Sequence, residues 1–73
     1  MGKIQEVYFN ATICVRTVVE RVESFIRESK EDFAAKHGVK DTDVYIVSIS
    51  LTDRRTAEGD YICTLFLETV KGE

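Results

Sequence analysis

Between Thr12 and Gly38, apolar residues fall at Val15, Val18, Val19, Val22, Phe25, Ile26 and Phe33, with Ser29 in the one expected slot that is not apolar. That spacing marks one face of a long amphipathic helix. Arg16, Glu20, Glu23, Arg27, Glu28 and Glu31 lie around the other side. Glu23 with Arg27, and Arg27 with Glu31, stand four residues apart, where opposite charges meet on a helix. Asn10 or Thr12 is placed to cap the start. Lys36-His37-Gly38-Val39 reads as a stop: a basic last turn, a left-handed glycine at C′ and an apolar residue at C″.

Outside the helix the period changes to that of strands. Lys3 to Asn10 mixes β-branched and aromatic residues with polar ones and predicts a first strand. Val44 to Thr52 (VYIVSISLT) is the strongest strand by composition, and Tyr61 to Val70 (YICTLFLETV) predicts a third. Asp53 to Asp60 turns the chain between them, with Gly59 available for positive φ. Lys71-Gly72-Glu73 reads as a frayed tail. The expectation is one α+β domain over residues 1–73, with a single long helix packed on one face of a three-stranded sheet in the order β-α-β-β. The third strand, antiparallel to the second, has a place between the other two.

Alternation assigns the faces. Tyr45, Val47, Ile49 and Leu51 share one parity of the second strand, and Tyr61, Cys63, Leu65 and Leu67 one parity of the third. With Val7 and Phe9 they are expected to meet Val18, Val22, Phe25, Ile26 and Phe33 as the core. The other face carries Ser48, Ser50, Thr52, Thr64 and Glu68, but also Val44, Ile46, Ile62 and Phe66, joined by Ile4 and Tyr8. One helix covers one side of a sheet, so this second face predicts association, most simply a homo-oligomer with Val44, Ile46, Ile62 and Phe66 at the interface.

Length sharpens that expectation. A chain of 73 residues buries only roughly 60% of its unfolded surface, which leaves a single core marginal. Disulfides are a poor supplement, because there are two cysteines, and Met1 to Asn10 carries Lys3 and Glu6 with no apolar leader core. A cytoplasmic, reduced protein is expected. Apolar runs fall far short of the ~20 residues of a membrane span. The net charge of −3, with Lys and Arg spread along the chain, disfavours nucleic acid. The nearest thing to a basic cluster is Arg54-Arg55.

Candidate chemistry is sparse. Cys14 is expected in the first helical turn, where backbone N–H groups favour a thiolate, although cysteine also serves as a small packing residue. Cys63 belongs to the expected core. His37, the only histidine, is expected at the far end of a helix about 33 Å long, too distant to pair with Cys14 in one subunit. One histidine and two separated cysteines make no metal site. No catalytic residue is assigned, and thiol chemistry at Cys14 is the least remote enzymatic option.

Two resemblances bear on function. Ala34 to Asp53 (AAKHGVKDTDVYIVSISLTD) resembles the helix end, loop and second strand of the small tautomerases similar to 4-oxalocrotonate tautomerase. Those act through an amino-terminal proline where this chain has Met1-Gly2, so the activity is not implied. In element order the whole chain is similar to the dodecins, βαββ flavin proteins that assemble into shells, with Tyr45 near the place of an aromatic that stacks on flavin. Asn10-Ala11-Thr12 stands where they have Gly-Thr-Ser, and the helix is longer. The reading is therefore a non-catalytic oligomeric protein-interaction or assembly module without a cofactor. The alternative is a binder of flavin or another aromatic cofactor at a subunit interface lined by Tyr8, Tyr45 or Phe66.

Overall fold

A computed structural model describes residues 2–71. In chain order the elements are β1 (Gly2–Cys14), a 3-10 turn at Val15–Thr17, α1 (Val18–His37), a second 3-10 turn at Asp41–Asp43, β2 (Tyr45–Asp53) and β3 (Asp60–Lys71). The helix packs against one face of a three-stranded antiparallel sheet of order β1-β3-β2, as the β-α-β-β reading expected. β3 takes the centre because Tyr61 to Leu67 is apolar at nearly every position and so suits burial on both faces. Of the expected frayed tail, Lys71 ends β3, while Gly72 and Glu73 lie outside the described residues.

The helix stop is as read. Gly38 takes φ 67°, and Ala34 O accepts both the Gly38 and the Val39 N–H. The second bond is the six-residue closure of a Schellman motif, and Val39 packs on the core beside it. An added Cβ at Gly38 would meet nothing within 4 Å, so substitution costs backbone strain alone. Gly38→Ala is expected to lower stability by about 1–2 kcal/mol, read as a fall in the urea midpoint at constant slope.

The helix start differs from expectation. β1 continues through Asn10, Ala11 and Thr12 to Cys14, with an irregular pairing to β3 between Asn10 and Ile13. There the Asn10 carboxamide oxygen accepts the Thr12 N–H (3.0 Å) and hydroxyl (2.8 Å), so both expected caps serve the bulge of a strand. α1 begins at Val18 after Thr17, whose side chain makes no capping bond. β-Branched Val15, Thr17, Val18 and Val19 are as compatible with a strand as with a helix, and the sequence pattern counted the first of them as helical.

The core is loaded toward one end. Phe33, Ala34, Val44, Leu65 and Leu67 are buried together, with Ile4, Tyr8, Phe25, Ile26 and Val39 packed around them. Thr69, fully buried, donates its hydroxyl to the Asp43 carbonyl at 2.7 Å and ties β3 to the turn before β2. α1 lies mainly over β1 and β3. β2 is exposed along its whole length. The molecule measures 49 × 17 × 15 Å with a radius of gyration of 13.6 Å, against about 11 Å for a globular chain of this length. Its surface of 5044 Å² also exceeds the about 4,600 Å² typical of this mass.

Candidate functional site

The sheet face turned away from α1 is built from alternate residues of all three strands. Register places Val7, Phe66 and Ser48 in one row, Phe9, Thr64 and Ser50 in the next, and Ile62 beside Thr52 beyond them. Phe9 is 68% exposed, Val7 44% and Tyr45 57%. At the other end the face turns polar: the Gln5 amide donates to Glu68 at 2.8 Å, and Lys3 lies 3.9 Å from the same carboxylate. The result is a mixed face, apolar along Val7, Phe9, Phe66 and Ile62, hydroxyl-bearing along Thr64, Ser48, Ser50 and Thr52, and charged at one end; exposed apolar side chains of this kind outline an interaction surface.

Ile62 and Phe66 stand on this face as expected. Val44 does not: it is 2% exposed and belongs to the core. Ile46 pairs with Leu67, which is fully buried under α1, and so stands on the helix side. The cause is a register shift between Ile46 and Ser48. A bulge at Val47 inserts one residue and reverses the parity of everything before it. Tyr45, expected in the core, consequently sits on the uncovered face beside Glu68.

β1 is reversed as well. Ile4 and Tyr8 pack against the core cluster, whereas Val7 and Phe9 face outward. The expected ligand trio is thereby divided, with Tyr45 and Phe66 on the uncovered face and Tyr8 on the helix side. Burial pushes the Tyr8 hydroxyl above its ordinary pKa, and the charges of Glu6 and Asp32 add to this.

Cys14 ends β1, with extended backbone and a 3-10 turn between it and α1. Cys14 therefore precedes the helix and does not stand in its first α-helical turn as expected. Cys63 is fully buried, and burial raises its thiol pKa. Neither cysteine is in a disulfide. Among the described residues, no group of three or more His, Cys, Asp or Glu side chains is placed to hold a metal ion. None of their helices is long and apolar enough to cross a membrane.

One polar cluster escaped the sequence reading. Glu6 lies on the helix side of β1, where its carboxylate accepts from Lys36 Nζ at 2.9 Å and contacts His37 Nε2. The His37 ring also packs against Phe33 at a tilt of 56°, with centroids 4.7 Å apart. The hydrogen bond from Lys36, then that from His37, holds the Glu6 carboxyl below its ordinary pKa, and Glu6 in turn raises Lys36. A depressed carboxylate stabilises the fold above its ordinary value of about 4.3 and loses that contribution as pH falls through the depressed value. The raised lysine contributes fully below about pH 10.4 and loses its share as pH rises beyond that. Glu6→Gln is therefore expected to flatten the decline of stability between about pH 5 and pH 3. Urea midpoints measured across that range check it, and an unaltered acid decline would show the cluster to be inert.

Set against known protein families, characterised proteins and solved structures, the chain matches none.

Proposed function

We propose that this chain is a small, non-catalytic assembly module that associates with copies of itself, or with a protein partner, through the sheet face that α1 leaves uncovered. The observation that carries the reading is the exposure of Phe9 and Val7 on β1 and of Tyr45 on β2, all more than two-fifths exposed on the same sheet face. Water around such a patch is unfavourable by about 25 cal/mol for every Å² that a second surface would cover. The excess surface of the chain points the same way. Two cysteines outside any disulfide fit a reducing compartment, and we assign the protein to the cytoplasm.

Light scattering on the purified protein tests the proposal: a dimer or a multiple of one is expected, and a clean monomer at micromolar concentration overturns it. A second reading is favoured by the neighbouring positions of Tyr45 and Phe66 on that face, an aromatic pair able to stack on a flavin at a subunit interface. Coloured protein, or a thermal shift with flavins, would support it. Colourless protein without such a shift excludes it.

A further inference from the structure

We infer that the open edge of β2 is a self-pairing edge, joining two copies of the chain into one continuous sheet by antiparallel β2–β2 pairing centred on Ser50. Three observations converge on it. First, the two edges of the sheet are unequally protected. On β1, the Asn10 side chain occupies the Thr12 N–H and Arg54 Nη1 donates to the Ala11 carbonyl at 2.7 Å, so the strand is interrupted where it would otherwise extend. β2 from Tyr45 to Thr52 has no charge and no proline, the devices that normally blunt an edge.

Second, the edge presents the right backbone groups. Arg54 donates its N–H to the Asp60 carbonyl at 3.0 Å, continuing the register of Asp53 with Tyr61. Alternation along the antiparallel ladder then directs the N–H and C=O of Ile49 and Leu51 away from β3, to the open side. A two-fold axis at Ser50 sets Ile49 opposite Leu51 of the second copy, Ser48 opposite Thr52, and Ser50 opposite itself. A centre at Ile49 would oppose the Val47 bulge to Leu51, and one at Leu51 would leave fewer pairs.

Third, the pairing covers surface that α1 does not. Ile46, Ile49 and Leu51 stay 42–46% exposed although they face the helix side. Leu51 lines an apolar groove with Val18, Val19 and Val22. Val47, half exposed, continues this apolar strip beside the open edge. Each copy carries a net charge of −3, so the uncharged stretch 45–52 is where two copies meet with least repulsion.

This inference rests on the assembly reading only in requiring that the protein self-associate. Ser50→Cys, in a Cys14→Ser background, is the test. Ser50 opposes itself across the axis, so an added oxidant is expected to convert most of the protein to a disulfide-linked dimer. Thr52→Cys, displaced from its symmetry mate by about 13 Å, is expected to link at least ten-fold more slowly. Ile49→Lys is expected to dissociate the pair while the circular dichroism of the fold persists. An oligomer in which Ser50→Cys links no faster than Thr52→Cys overturns the edge pairing and leaves the face-to-face proposal standing. A chain that is monomeric throughout overturns both.

Discussion

Phe33→Ala is expected to leave little folded protein. Phe33 is the largest fully buried side chain, enclosed by Ala34, Leu65, Leu67 and the His37 ring. Truncating a buried phenylalanine costs about 3–5 kcal/mol, the lost transfer energy plus the cavity left behind. A domain of this length holds roughly 4–11 kcal/mol in all, and the extended shape of this one places it toward the lower end. Urea denaturation should show the midpoint reduced by half or more, or no folded baseline at room temperature. Val19→Ala supplies the comparison: it lies on the same helix but is 67% exposed, and it should change stability by no more than about 0.5 kcal/mol. Equal shifts for the two variants would contradict a core placed at the C-terminal half of α1.

Phe9→Lys should show the reverse, a fold left intact and an assembly lost. At 68% exposure the ring makes little of the folded chain's own packing, and the charged end of lysine reaches water while its methylenes cover the strand. The monomer is expected to change by about 0.5 kcal/mol or less. If the proposed assembly buries this ring as an aromatic anchor, losing it costs about 2 kcal/mol or more, roughly 30-fold in the dissociation constant. Sedimentation equilibrium across a concentration series measures this shift directly. A variant that assembles like the parent would remove Phe9 from the interface.

Elements with one consistent local signal were legible in the sequence. The helix stop is an example: basic residues, Gly38 and apolar Val39 all specify the same Schellman geometry. β3 is another, because its buried parity of Cys63, Leu65 and Leu67 is unbroken. The failures fall where two signals competed. In β1 both parities carry large apolar residues, and Glu6 occupies the inner one, so alternation favoured turning Val7 and Phe9 inward. Glu6 is tolerated there because Lys36 and His37, 30 and 31 residues away in sequence, come to meet it. That compensation is tertiary and has no local trace. In β2 a single bulge at Val47 exchanged Tyr45 with Ile46. One inserted residue changes face assignments without altering composition, so alternation alone gives no warning of it.

These reversals bear on the candidate interface more than on the fold. Val44 and Ile46 leave the uncovered face, Tyr45, Val7 and Phe9 join it, and Ile62 and Phe66 stay. The surface keeps its hydroxyl residues and becomes more aromatic, which suits an anchor-based contact. The helix that organises the chain covers β1 and β3 and leaves β2 free on both faces and along one edge. Association is the physical outcome to expect of such a strand.

Whether the exposed sheet surface is occupied in solution by other protein is read from native mass spectrometry of the protein as isolated. The expected result is a dimer, or an even-numbered oligomer built from dimers, that shifts to smaller species in Phe9→Lys. A parent chain that is monomeric at micromolar concentration, with the same spectrum as the variant, would contradict it.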